Sequence, residues 1–243
     1  MMELKVESKY SYRDLEVEVM EGVFSPNKTT ELLLEAVLSN PLEGKTCLDL
    51  GTGSGIVALS VKKYGGAKKV CGSDISVNAV INARHNARRL GLDVEFRQGS
   101  VFEPWEGMTF DTISNDISGV AEPIARLSPW YPPGIFCEAG EEGINWTVKV
   151  LDLAHKHLGP GGVIFFPTVS LSNELKILEA ARMRYPRVVR LMTKSWPFKE
   201  DFWKRIVDSE ACRRLIDKGI VKVFKRGSRM LWDTSVYMAS VTP

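Results

Sequence analysis

Short apolar runs alternate with amphipathic stretches along most of this chain. That order predicts parallel strands joined by helices, an α/β architecture. Leu15-Glu16-Val17-Glu18-Val19 alternates apolar and polar residues and reads as a half-buried strand. A turn at Ser25-Pro26-Asn27 precedes a helix from Lys28 to Leu38. Thr46 to Leu50 is a strand, Ile56 to Tyr64 a helix and Lys69 to Ser73 a strand. Ser76 is placed to cap a helix running to about Leu90. Val94 to Phe96 and Thr109 to Ser114 read as strands. Ile144 to Leu158 reads as a helix stopped by Gly159-Pro160-Gly161-Gly162. Val163 to Phe166 is a buried strand, Asn173 to Met183 a helix and Arg187 to Met192 a strand. After Pro197 the pattern changes. Glu200 to Lys218 reads as one basic amphipathic helix, and Ile220 to Phe224 and Met230 to Val241 as strands around a Gly227-Ser228 turn.

Composition narrows the class. With 243 residues, 44% of them hydrophobic, the chain can bury a sizeable core and is not disordered. No apolar run approaches the length of a membrane span, and the start has no signal-peptide core, so a cytosolic protein is expected. The four cysteines form no CxxC pair, and Cys47 and Cys71 sit in apolar runs as buried thiols. The three histidines have no ligand spacing, so no metal site is expected. His85, with Arg84, Arg88 and Arg89, reads as part of a solvated helix face. The net charge of +2 is unevenly spread. Residues 182–230 hold 15 Lys and Arg against 5 Asp and Glu, a local +10 that leaves −8 for the remainder.

Parallel sheets place ligands at the carboxyl ends of their strands, so the residues just after each strand are the ones to inspect. After the first parallel strand comes Asp49-Leu50-Gly51-Thr52-Gly53-Ser54-Gly55, opening a helix. Glycines let the backbone turn tightly, and a helix N-terminus offers free N–H groups to an anionic ligand. Any tight strand-to-helix turn reads the same way. Asp74 ends the next strand, where an acidic residue accepts from ribose hydroxyls. Gly99-Ser100-Val101-Phe102 follows the third strand, where a backbone N–H and a small polar side chain suit an adenine edge. The glycine spacing is not G-x-G-x-x-G, and no P-loop is present.

Leu48 to Gly55 resembles motif I of class I S-adenosylmethionine-dependent methyltransferases, and Gly72-Ser73-Asp74-Ile75-Ser76 resembles their motif II. The resemblance implies a Rossmann-like, mostly parallel seven-stranded sheet with helices on both faces. It also implies S-adenosylmethionine as cofactor, bordered by Asp49, Gly51, Thr52, Gly53, Gly55, Asp74, Ile75, Ser100, Val101 and Asn115. One methyltransferase domain is expected over 1–243: a β extension (1–27), a cofactor core (28–194), and a basic helical insertion with closing strands (195–243).

Across about residues 20 to 170 the order of elements is similar to the HemK-like glutamine N5-methyltransferases. Val23-Phe24-Ser25-Pro26, Glu95 to Phe102 and Ala139 to Ile144 carry that likeness. The family's strand-end motif is Asn-Pro-Pro-Tyr; this chain has Asn115-Asp116-Ile117-Ser118. Asn115 is a candidate acceptor for a target N–H, and Asp116 a candidate acceptor of the departing proton or else a turn former. Trp130-Tyr131-Pro132-Pro133 occurs later, in a loop whose spacing sets it apart from the strand end. That 116–137 stretch reads as a lid or a packed insertion, with Trp130, Tyr131 and Phe24 as candidate substrate contacts. The basic 182–230 region interleaves cations with Trp196, Phe198, Phe202, Trp203 and Phe224. It suits phosphates and bases, an acidic protein, or plain packing on the sheet. The expected acceptor is a nitrogen of a macromolecule, a protein amide of the glutamine type or an RNA base, with a partner subunit as an option. A non-catalytic cofactor-binding scaffold is the third reading.

Overall fold

A computed structural model describes residues 5–131, 135 and 138–242. Strands β1 (Val6–Tyr12) and β2 (Leu15–Met20) pair antiparallel as a separate two-stranded sheet. The sequence predicts only the second of them, because β1 is largely exposed and its alternation is confined to Tyr10-Ser11-Tyr12.

The main sheet contains β3 (Thr46–Leu50), β4 (Lys69–Asp74), β5 (Glu95–Gln98), β6 (Phe110–Asn115), β7 (Leu158–Val169), β8 (Arg187–Pro197) and β10 (Arg229–Ser240). Their order is β5-β4-β3-β6-β7-β10-β8, and the short β9 (Phe224–Arg226) pairs with β10 as an eighth strand. The strands from β5 to β7 are parallel; β10 runs antiparallel between β7 and β8. The reversal of order between β3 and β6 opens a crevice at the carboxyl edge, where such sheets bind ligands.

Helices α1 (Lys28–Leu38), α2 (Ile56–Tyr64) and α3 (Val77–Leu90) cover one face. Helices α5 (Asn145–Ala154) and α6 (Glu174–Arg184) cover the other. Successive strand residues point to opposite faces, so Phe165 joins the first core and its neighbour Phe166 the second. A third apolar cluster lies at the carboxyl edge. It joins α4 (Glu122–Ala125), α7 (Glu200–Asp208) and α8 (Glu210–Asp217) to Trp130 and Trp232.

Several expected boundaries shift for local reasons. The helix expected over Glu200–Lys218 is two helices. Ser209, with extended ψ of 120°, ends α7 and caps α8 by accepting from the Cys212 N–H at 3.4 Å. Ile220 to Val223 is not strand; only Phe224–Arg226 pairs. The helix expected to reach Leu158 stops at Ala154, and the Gly159–Gly162 run lies inside β7. There the register jumps from Phe110↔Leu158 to Thr112↔Val163, so the glycines form a bulge. Cys47, Cys71 and Cys212 are buried free thiols; Cys137 lies outside the described residues. No described helix is long and apolar enough to cross a membrane.

The two-stranded sheet is fastened by side-chain amides. Asn82 and Asn86 are fully buried on α3, one turn apart. Their amide oxygens accept from the Met20 and Glu18 N–H groups at 3.0 and 2.9 Å. Their amide nitrogens both donate to the Glu18 carbonyl, at 2.9 and 2.8 Å. The helix thus satisfies the open edge of β2 as a neighbouring strand would. The helix face read as solvated is therefore engaged. His85 bonds the Glu18 carboxylate at 2.8 Å, Arg89 donates to the Glu16 carbonyl, and Arg84 donates to the Phe96 carbonyl at the β5 side. The His85 bond holds the Glu18 carboxyl below its usual range.

Candidate active site

A cavity of about 220 Å³ opens at the carboxyl edge of the sheet. Each central strand delivers a residue to it: Gly51 after β3, Asp74 at the end of β4, Gly99 after β5, Asp116 after β6 and Val169 at the end of β7. Trp232, at the start of β10, closes the far wall.

The glycine turn is built for close approach. Gly51 has φ of +72°, and a Cβ there would meet the Ile117 backbone N at 3.1 Å and its side chain at 2.8 Å. Glycine therefore lets β3 and β6 leave the sheet side by side. Gly55 starts α2 at φ +87° and supplies no side-chain cap, so the first-turn N–H groups of α2 have no capping side chain.

Asp49 lies beneath this turn rather than on the cavity wall. It is 2% exposed, and its two oxygens accept from Thr52 Oγ1 and Ser114 Oγ, both at 2.8 Å. Burial pushes its carboxyl up to about 7, against the opposing effect of those two hydroxyls. Asp49 thus ties the loop to β6. Gly55 is likewise off the wall, where a Cβ would press on Ala83 and Leu59 at 3.2 Å.

Asp74 faces the cavity. One carboxylate oxygen accepts from the Gly53 N–H at 3.0 Å, the other from the Ser76 N–H at 2.9 Å. Burial raises its pKa while these backbone bonds oppose the rise. Each oxygen keeps further acceptor capacity. Thr52, Gly53, Ile75, Ser100 and Val101 line the same end. Val101 has φ of +52°, a left-handed backbone that is rare and costly for a β-branched residue. Such strain persists where the surroundings impose it, and it clusters at ligand sites.

The other end is organised by β6. Asn115 is 1% exposed and does not reach the wall. Its Oδ1 accepts from the Ile117 N–H at 3.4 Å, and its Nδ2 is buried without a hydrogen-bond partner. Asp116 does reach the wall and retains some exposure. Its backbone N–H donates to the Leu50 carbonyl at 3.0 Å, and its Oδ2 accepts from Thr30 Oγ1 at 2.7 Å. Burial pushes the Asp116 carboxyl up to about 7, opposed by the Thr30 bond. Thr30 belongs to the capping box that starts α1 with Asn27. Its spacing announces the cap, but the reach to Asp116 was not legible.

Tyr131 returns to the strand end that the sequence set it apart from. Its hydroxyl lies 3.1 Å from Ser118 Oγ, and its ring tilts against Phe24 at 5.3 Å. Phe24, Tyr131 and Trp130 all line the cavity, and Trp130 also packs edge-on against Phe202 and tilts on Trp232. Pro132 and Pro133 lie outside the described residues. Trp146, Pro167 and Trp232 also line the wall, and no motif marks them in the sequence. Only the alternation of the late strands hints at Trp232.

Residues 14–116 match the family model of the methyltransferase small domain. The chain carries a class I methyltransferase fold. By sequence it is similar to the release factor glutamine methyltransferase of Moorella thermoacetica, 33% identical over 160 residues, covering 63% of this chain and 56% of that protein. The enzyme of the same description from Clostridium acetobutylicum is 32% identical over 171 residues, 66% of this chain and 60% of its own length. The chain thus spans little more than half of these curated relatives. By structure it is similar to a 16S rRNA N2 G1207 methyltransferase of T. thermophilus in complex with AdoMet and guanosine. That match has TM-score 0.61 and 18% identity, over 97% of this chain and 51% of that one. A ribosomal protein L11 methylase from Lactobacillus delbrueckii subsp. bulgaricus gives TM-score 0.55 and 19% identity, over 89% and 82%. These structural likenesses are of fold.

The titration of Asp116 has a sign. Its folded pKa lies above the ordinary carboxylate value of 3.8, so the native state holds a proton that the unfolded chain releases. Stability contributed by the protonated form is complete below about pH 4 and is lost as pH rises to about 7. Asp116→Asn removes that loss. At pH 8 its melting temperature is expected to exceed that of the parent by about 10 °C, with no gain at pH 4. Melting curves across pH check this; an equal difference at both ends would show that the carboxyl does not titrate high.

Proposed function

We propose that this chain transfers the methyl group of S-adenosylmethionine to a nitrogen of a macromolecular substrate, the side-chain amide of a protein glutamine. The supporting observation is a single cavity with Asp74 and the glycine turn at one end and the β6 strand end at the other. The likeness to release factor glutamine methyltransferases supports the choice of acceptor. The whole chain acts in this reading as one methyltransferase unit.

The residues present fit the cofactor. Asp74 keeps acceptor capacity for ribose hydroxyls, and its two backbone bonds hold it rigidly for that task. Gly51, Thr52 and Gly53 and the uncapped start of α2 form a backbone surface that suits the amino-acid portion. Ser100 and Val101 suit the adenine edge. Asp49 supports the loop from below through Thr52, and Gly55 does so by letting α2 pack on α3. When bound, the cofactor supplies an electrophilic methyl group on a sulfonium.

The chain's own task is then positioning. Asp116, oriented by Thr30, accepts a hydrogen bond or a proton from the target nitrogen. Asn115 fixes the turn that aims Asp116. Phe24, Tyr131 and Trp130 form an aromatic wall that holds the acceptor close and keeps water out.

The cofactor is expected to raise the melting temperature by ligand linkage. Labelled methyl transfer to a cell extract, followed by protease or ribonuclease digestion, then identifies the acceptor. Label released by protease and located on glutamine supports the proposal. Label released by ribonuclease alone, or cofactor binding with no transfer, overturns it.

A further inference from the structure

The basic C-terminal region divides into two parts. Most of its aromatic residues are structural. Phe202 is 2% exposed, Phe198 packs against Phe202 and Trp203, and Trp196 donates from its indole to Thr234 Oγ1 at 3.1 Å. Several of its cations are paired: Lys194 with Glu35, Arg205 with Asp201 and Arg184 with Asp152. The β9–β10 hairpin differs in its aromatic residue. Phe224 is 43% exposed. Lys225, Arg226 and Arg229 are exposed, and among the described residues none of them forms an ion pair.

The register sharpens this. Arg226 and Arg229 lie directly opposite each other across the hairpin. Like charges in that position repel and destabilise the pair. A phosphate between them relieves the repulsion with charge-assisted hydrogen bonds. Phe224 is two residues before Arg226, so its ring is on the same face as both guanidinium groups. A face with one open aromatic ring and two opposed arginines suits a base and its phosphate together. A stacked base and its phosphate use the ring and the cations together, whereas acidic side chains engage the cations alone.

The location links the hairpin to the cavity. Because β10 runs antiparallel to β7, its first residues project beyond the carboxyl edge of the sheet. Trp232 is on the cavity wall, three residues after Arg229 and so roughly 10 Å from it along the strand, with its side chain on the opposite face.

We propose that the β9–β10 hairpin binds single-stranded RNA beside the mouth of the cavity, with Arg226 and Arg229 on phosphate and Phe224 stacked on a base. This concerns what the chain holds and leaves open which atom it methylates, so it stands or falls apart from the transfer reading.

Fluorescence anisotropy of the full chain with a short labelled ribonucleotide of mixed sequence tests it. The affinity is expected to fall steeply with salt. Arg226→Gln with Arg229→Gln is expected to reduce the slope of log K against log salt by about 1.4. Phe224→Ala is expected to weaken binding roughly tenfold without changing that slope. Poly-L-glutamate at equal charge is expected to compete poorly. A flat salt response, an unchanged slope in the double variant, unchanged affinity in Phe224→Ala, or equal competition by poly-L-glutamate overturns the proposal; the last outcome assigns the hairpin to an acidic protein. Thermal shifts with S-adenosylmethionine on the same variants report whether the cofactor end is intact, separately from RNA binding.

Discussion

Asp74→Ala is expected to weaken S-adenosylmethionine binding by at least a hundredfold. Two effects combine. The variant removes a charged acceptor aimed into the cavity, and hydrogen bonds to charged groups contribute about 1.5 to 3 kcal/mol each. Two such bonds to ribose hydroxyls correspond to roughly two to four orders of magnitude in affinity. The variant also releases the Gly53 and Ser76 N–H groups, so the glycine turn keeps only its Gly51 and Thr52 bonds to the Ser73 carbonyl of β4. Asp74→Asn separates these effects, since its remaining oxygen still accepts from one of the two N–H groups. It is expected to bind about tenfold more tightly than the alanine variant and still more weakly than the parent. Isothermal titration measures both. An alanine variant within threefold of the parent would remove Asp74 from cofactor recognition.

Asn86→Ala is expected to lower the melting temperature by about 8 °C. Asn86 makes three bonds: it accepts from the Glu18 N–H and donates to the Glu18 and Ser54 carbonyls. Each group left unpaired in a buried place costs about 1 to 3 kcal/mol. A loss of about 3 kcal/mol shifts a chain of this size by roughly 2 to 4 °C per kcal/mol. The damage is also expected to reach the site. Ser54 belongs to the glycine turn, and Gly22, Val23 and Phe24 follow directly after β2 on the cavity wall. Weaker cofactor binding is therefore expected alongside the lower melting temperature. Scanning calorimetry and titration of one preparation test the coupling; a lower melting temperature with full affinity would confine Asn86 to stability.

These two residues mark what was legible in the sequence. The place of Asp74 on the cavity wall was readable because it follows from position alone, at the end of a strand in an alternating α/β pattern. The glycine turn was readable for the same reason. Asn86 was not, although a signal existed: Asn82 and Asn86 fall on the same helix stripe as Ala79, Ala83 and Ala87. Two amides in an apolar stripe call for buried acceptors and donors, and β2 supplies them. The contacts of Thr30 and Tyr131 were out of reach for another reason. Thr30 meets Asp116 from a distant segment, and Tyr131 meets Ser118 only because the 116–137 stretch folds back on itself. The split of the long basic helix at Ser209 is a local competition, in which a serine that caps one helix must end the one before it.

The placement of β10 bears on how the chain assembles. A ribosome delivers β7 and β8 first, yet the two never touch in the finished sheet, because β10 lies between them. Until β10 arrives, β7 exposes an open edge and β8 has no strand to pair with. Trp232, which closes the cavity wall, arrives on that same strand. The nascent chain therefore holds every strand of the Asp74 end well before Trp232 can close the far wall. Closure of the sheet is a late, long-range step, and such steps are the slow and aggregation-exposed ones.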